Sequence, residues 1–184
     1  MDHLTQSFEH TDVGIAYIYC NYKEKSGQST VNLISSLLQQ LVESRSAIPD
    51  EIKRLYRHHQ KKGTRLAIDE CSQLLRSEVR RFSTVYFIID ALDECLEERR
   101  QILLDELRKL RDYVKLLVTS RHIPTIERYF EPEKHLEIRA SDEDIQNYLR
   151  FRIANSTRLE RHVTKYPNLL EEIIAKIVEK AHGM

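Results

Sequence analysis

The stretch VYFIIDALDEC, Val85 to Cys95, runs through five apolar residues and stops on an acid, Asp90, with two more acids, Asp93 and Glu94, close behind. A short uncharged run of aromatic and β-branched residues is what a strand inside a parallel sheet needs, because such a strand packs on both faces. Three carboxylates then fall where open parallel sheets meet their ligands, at the carboxyl ends of the strands. Two chemistries suit that place. One carboxylate at a strand tip can anchor Mg²⁺, which takes hard oxygen ligands and keeps several waters, while a second can orient a nucleophilic water toward a γ-phosphate. Alternatively, Asp93 and Glu94 precede a helix starting near Leu96 and are favoured there by about 0.3–1 kcal/mol through the helix dipole. The spacing DALDE accommodates both readings.

Working outward, KLLVTS (Lys115 to Ser120) is a second apolar run that turns polar at its end, giving Thr119, Ser120 and Arg121. The planar donor fork of Arg121 suits a phosphate, or an ion pair with the acids or with Glu127. Thr119 and Ser120 suit either a ligand or the cap of a short helix starting at Pro124. Upstream, GIAYIYCNY (Gly14 to Tyr22) is expected as a strand buried on both faces. The spacing of Ile34, Leu37, Leu38, Leu41 and Val42 predicts an amphipathic helix over Thr30 to Val42. Two more helices are expected, one with Ile52, Leu55 and Tyr56 inward and Gly63 closing it, the other with Ile68, Cys71, Leu75 and Val79. A helix carrying Leu103, Leu107 and Leu110 links the two acid- and arginine-tipped strands, and HLEIR (His135 to Arg139) reads as a further strand. The fold class is therefore α/β, a parallel sheet with crossover helices over residues 1–140.

From residue 141 the pattern is helical only. Ser141 to Asp144 forms a capping-box start with Ile145, Tyr148 and Leu149 inward. A last helix over Asn168 to Ala181 carries Leu170, Ile173, Ile174, Ile177 and Val178, with Gly183 as its cap.

The totals narrow the function classes. The 184 residues are 41% hydrophobic, and 29 basic residues balance 29 acidic ones, so no chain-wide field favours nucleic acid or an anionic membrane. Arg80-Arg81 lacks aromatic interleaving, and His58-His59 with Lys61-Lys62 reads as a solvated helix face. No run approaches the roughly 18 apolar residues of a membrane helix. Cys20, Cys71 and Cys95 are odd in number and widely spaced, which suits free thiols in the cytosol. Beside the acids, Cys95 is expected to have its thiolate disfavoured.

FIIDALDE resembles the Walker B segment (residues 85–94) of NACHT domains, STAND-class P-loop NTPases of the nephrocystin-like kind, and LLVTSRH resembles their sensor-1 strand (115–121). Further similarity lies in YIYCNYKEKSGQSTVNLISSLLQQL, SDEDIQNYL and IIAKIVEKAHGM. The resemblance implies a P-loop-type sheet followed by an all-helical lid subdomain, ATP or GTP with Mg²⁺ as cofactor, and protein partners or self-association through the domain. It places Mg²⁺ at Asp90, the hydrolytic water at Asp93 or Glu94, and phosphate sensing at Arg121 with Ser120 beside it.

One departure is large: no GxxxxGK[ST] loop occurs in the chain. KEKSGQST (Lys23 to Thr30) has one glycine and no Gly-Lys pair, so it offers neither the nest of amides nor the lysine that cradle phosphates. Losing about five charge-assisted hydrogen bonds at roughly 1.5 kcal/mol each forfeits on the order of 7 kcal/mol, about five decades in affinity. By this reading Met1 to His10 is the end of a helix that follows the missing loop, HLEIR lacks a neighbouring strand, and the chain alone does not hydrolyse nucleotide. The competing expectation is a non-catalytic protein-interaction module whose strand-end acids cap a helix.

Overall fold

The computed structural model describes residues 8, 11–24, 27–45, 47–131, 133–166 and 168–181. The chain divides into two compact units, Met1–Glu131 and Pro132–Met184.

The first unit is built on a parallel sheet of three strands in the order β1 (Val13–Tyr19), β2 (Thr84–Asp90), β3 (Val114–Val118). Pairing aligns Tyr19 with Asp90 and Ile89 with Val118, so all three strands end at one rim. β1 stops because Asn21 takes the chain into a turn: its side-chain oxygen accepts the Lys23 N–H at 3.0 Å and its carbonyl the Glu24 N–H at 3.1 Å. Between β1 and β2 run α1 (Thr30–Glu43), α2 (Asp50–Lys62) and α3 (Ile68–Val79), and between β2 and β3 runs α4 (Glu97–Arg108). These are the crossover helices that parallel strands require. α5 (Pro124–Tyr129) follows β3.

The helical stripes pack as their spacing implies. Ile34, Leu37 and Leu41 of α1, Cys71, Leu75 and Val79 of α3, and Leu103 and Leu107 of α4 lie in one core with Ala16, Ile18, Val85, Phe87 and Ile89 of the sheet. Gly63 adopts φ 62° and ψ 27° and closes α2 with its own N–H and that of Thr64 bonded back to Gln60 and His59. Tyr56, expected inward on α2, is exposed because this helix has no buried residue.

Burial of β1 on both faces does not occur. Ala16 and Ile18 are buried, whereas Tyr17 and Tyr19 on the opposite face are 38% and 55% exposed. Among the described residues of the first unit no helix layer covers that second face, which is why alternate side chains remain in water. The outer edge of β1 is nevertheless satisfied. The Gln40 side-chain amide accepts the Tyr17 N–H at 3.0 Å and donates to the Tyr17 carbonyl at 2.9 Å, and Gln28 donates to the Tyr19 carbonyl at 3.0 Å. Two side-chain amides thus stand in for a neighbouring strand.

The second unit contains α6 (Asp142–Ala154), α7 (Thr157–Lys165) and α8 (Leu169–Ala181). The capping box forms as expected, with Ser141 Oγ accepting from the Asp144 N–H at 3.1 Å and Asp144 Oδ2 from the Ser141 N–H at 3.2 Å. Tyr148, expected inward, is exposed, as is Ile177 of the last apolar stripe, and Ile153, Ile174 and Ala181 are the buried positions. HLEIR forms no strand. Leu136 and Ile138 are more than 80% exposed, since a lone extended segment without an adjoining strand has no ladder to join. Met1 to Ser7, Glu9, His10 and Gly183, read above as a helix end and a cap, lie outside the described residues. No helix among the described residues is long and apolar enough to cross a membrane.

Candidate functional site

β2 delivers Asp90 to the rim, and the chain then turns so sharply that Ala91 takes left-handed φ 53° and ψ 48°, the only non-glycine residue with positive φ among those described. An alanine there costs about 1–2 kcal/mol, and this strain sets the direction of the 3₁₀ turn Leu92–Glu94 that carries the other two acids. Thr119, the first residue past β3, holds the turn in place. Its N–H donates to the Ile89 carbonyl and its own carbonyl accepts the Leu92 N–H, each at 2.9 Å. Its hydroxyl accepts the Ala91 N–H at 2.9 Å and donates to Asp90 Oδ1 at 2.5 Å.

One step along, Asp93 receives Arg121 twice, at Oδ1 from the backbone N–H at 3.1 Å and at Oδ2 from Nε at 2.5 Å. The Asp93 side chain is 4% exposed and that of Arg121 is 79% exposed, so the guanidinium reaches in from solvent over a buried carboxylate. Burial pushes the Asp93 carboxyl up, but both Arg121 hydrogen bonds and the charge outweigh it and hold the carboxyl below its ordinary value. The same bond and charge keep Arg121 cationic. Glu94 accepts the Tyr22 N–H at 3.2 Å, tying the turn to the tip of β1. Ser120 donates to the Arg121 carbonyl at 2.8 Å.

The structure therefore brings Asp90, Asp93, Glu94, Ser120 and Arg121 to one rim. The N-cap of α4 is Leu96 and that of α5 is Ile123, and neither makes a side-chain cap bond. The residues that sequence reasoning passed over are Thr119 as the bridge between the strand tips and Ala91 as the strained corner. A threonine ending one strand opposite an aspartate ending the next carries some signal for the first, and nothing in an alanine signals the second.

Cys95 also differs from expectation. Its thiol is lowered to about 7, first by the Cys20 thiol and then by Arg100 and Arg99, against the opposing effect of burial. The acids instead act on Cys20, whose thiol is raised by Cys95, by burial and by the charges of Asp90 and Asp93.

Whether these residues fit the implied cofactor depends on its parts. A single rim carboxylate, Asp90, suits Mg²⁺ held largely through water, and no group of three or more His, Cys, Asp or Glu suited to a metal occurs among the described residues. A triphosphate does not fit what is present. Gly27 donates its N–H to Glu24 and Ser29 spends its hydroxyl on the Asn32 N–H as the cap of α1, so neither is turned to a phosphate.

The family described as Nephrocystin 3, N-terminal, matches residues 1–121. The chain belongs to this family. The nephrocystin 3 N-terminal match takes in the whole three-stranded sheet and ends on Arg121, the residue that closes the rim. No curated protein and no solved structure matches the chain.

Proposed function

We propose that this nephrocystin-like chain supplies the metal-bearing and sensor half of a NACHT-type nucleotide switch, with Asp90 as the Walker B carboxylate, Asp93 or Glu94 serving the hydrolytic water, and Arg121 with Ser120 as the sensor. The observation that carries the proposal is the pairing of two adjacent parallel strand tips through Thr119–Asp90 and Arg121–Asp93. Of the two candidate bases, Glu94 is the better placed, because both oxygens of Asp93 accept from Arg121.

Two further features favour a nucleotide switch over a self-sufficient enzyme. Among the described residues β3 has a strand neighbour only on its β2 side, and Leu116 and Leu117 beside that bare edge are 38% and 58% exposed. A central strand and phosphate loop inserted along β3, and a helix laid on the open face, would cover these surfaces. Such a loop is not in the 184 residues; on this proposal another segment supplies it, with ATP or GTP and Mg²⁺ then bound at Asp90.

In calorimetry the chain alone is expected to show no heat with Mg-ATP, and the chain extended upstream through a GxxxxGK[ST] loop to bind in the micromolar range. Asp90→Ala in the extended polypeptide should weaken binding about tenfold or more, roughly 1.4 kcal/mol; unchanged affinity for this variant and for Arg121→Ala defeats the assignment. The exposed apolar rows on β1 and β3 favour a second reading, a protein-interaction module that partners or self-associates through the sheet. It predicts that alanine at Asp90 and Glu94 changes nothing in the extended polypeptide.

A further inference from the structure

The charges of the chain balance in sum but not locally. None of the nine residues of α7 is buried. At about 100° per residue, Arg158, Arg161, His162 and Lys165 form one i, i+3, i+4, i+7 stripe roughly 100° wide. All four are exposed, and together with Thr157 they line a single shallow depression of the surface. Glu160, the one acid of the helix, lies about 150° round from the middle of the stripe. Among the described residues Arg158, Arg161 and Lys165 form no ion pair, and Lys165 lies over the Tyr166 ring at 5.4 Å. The adjoining helices differ. Arg150 of α6 clasps Glu171 of α8 with both terminal nitrogens, at 2.8 and 3.0 Å, and Lys176 reaches Glu179 at 2.9 Å.

We propose that this stripe docks an acidic segment of another protein, a helix presenting carboxylates at the same spacing. Arg158 with Arg161, and Arg161 with Lys165, stand at i, i+3 and i, i+4, where like charges repel. The free helix carries that repulsion with no counter-charge of its own, and an acidic partner relieves it. The stripe runs about 10 Å along the helix axis, the rise of two turns of a partner helix. A guanidinium takes both oxygens of a carboxylate in one plane, the geometry that Arg150 already adopts on Glu171. An anionic membrane matches less well. Clusters that read lipid headgroups hold about 4–8 Lys or Arg, against the three of this stripe, and no apolar side chain stands within it to enter a bilayer. Leu159 and Val163 fall outside it, on a helix that contacts both α6 and α8. No aromatic residue stands between the cations to stack on a nucleic-acid base. The site lies in the second unit and is independent of the nucleotide reading.

The test titrates the whole chain into a fluorescein-labelled, alanine-based helical peptide with glutamates at i, i+3, i+4 and i+7, followed by fluorescence anisotropy. The glutamate peptide should bind and its glutamine counterpart should not. Raising the salt from about 0.1 to about 1 M shortens the reach of charge from about 10 Å to about 3 Å and should weaken binding about tenfold or more. Arg158→Glu combined with Arg161→Glu should abolish binding, and since α7 buries no residue, circular dichroism should show the helices retained. Lys61→Glu combined with Lys62→Glu, at the exposed end of α2, should leave binding intact. The peptide pair and the salt series decide the matter on the wild-type chain even where a variant does not fold. Equal binding of the glutamine peptide, no binding of either peptide, or an equal loss in the two double variants overturns the proposal. A preference for phosphatidylserine vesicles or for a DNA duplex over the glutamate peptide at the same salt overturns it too.

Discussion

The two faces of the sheet are made from the same strands and meet opposite fates. On the closed face the register lines up Gly14 with Val85 and Val114, Ala16 with Phe87 and Leu116, and Ile18 with Ile89 and Val118. On the other it lines up Ile15 with Tyr86 and Lys115, and Tyr17 with Ile88 and Leu117. Residues of β1 and β2 on the closed face are sealed under α1, α3 and α4, whereas the other face shows partly buried or exposed side chains on every strand. Phe8 stacked on Tyr86 at 5.7 Å, with Lys115 over the same ring at 5.4 Å, is a modest cover for it. The difference teaches that the apolar strand composition specifies two layers, because parallel sheets are covered on both sides. The helices between residues 30 and 108 supply one.

The sharpest break in this comparison is Phe87→Ala. Phe87 is fully buried at the centre of the closed face, and truncation should cost about 3–5 kcal/mol, read as a lower denaturant midpoint for the first unit. A loss under about 1 kcal/mol, the scale of a surface change, would mean that this face is not the core. Next comes Gly14→Ala. A Cβ at Gly14 would stand 2.8 Å from Leu41 Cδ2 and 3.2 Å from Phe82 Cδ1, and since Leu41 is itself fully buried the overpacking should cost about 1–3 kcal/mol. A stability gain from this helix-to-sheet approach would show the layer to be looser than its burial implies.

At the rim where the faces meet, Asp93→Asn removes a carboxylate that makes two hydrogen bonds to Arg121, and should cost about 1–2 kcal/mol at pH 7. The sign with pH is fixed by the lowered Asp93 carboxyl. The folded state binds its proton less readily than the unfolded chain, whose value is about 3.9. The stabilisation is therefore complete above that pH and is lost as pH falls through the lower folded value. Acid unfolding of the wild type should accordingly steepen below about pH 4, and the Asn variant should lack that component. Parallel acid profiles for the two proteins would show that the pair contributes nothing.

How much of this was legible in the sequence divides along the same line. α1, α3 and α4 could be read because their apolar residues recur at helical spacing and bury against one layer. β2 could be read because six residues without charge end on an acid. The common rim for Asp90, Asp93, Glu94 and Arg121 was legible too, since parallel strands must end on one side. What periodicity does not encode is whether a second layer is present, so burial of Tyr17 and Tyr19 was expected and does not occur. HLEIR failed for a related reason, as alternation makes a strand only where an edge receives it. α7 went unread because Leu159 and Val163 are its only large apolar residues. The Ala91 corner arises from tertiary placement of a residue whose identity gives no warning.

The smallest expected effect is the most discriminating. Leu117 lies on the open face beside the bare edge of β3 and is 58% exposed, so Leu117→Ser should change stability by no more than about 0.5 kcal/mol, against several for the same change at the fully buried Leu103. What it should change is association. A row of Tyr17, Ile88 and Leu117 next to an unpaired strand is an adhesive surface, and the serine variant should bind less of an apolar dye and sediment with less self-association than wild type at equal concentration. If Leu117→Ser instead costs more than about 2 kcal/mol, the side chain is covered in solution and a second layer is already in place. The chain would then be closed on both faces, and an inserted strand along β3 would have nothing left to complete.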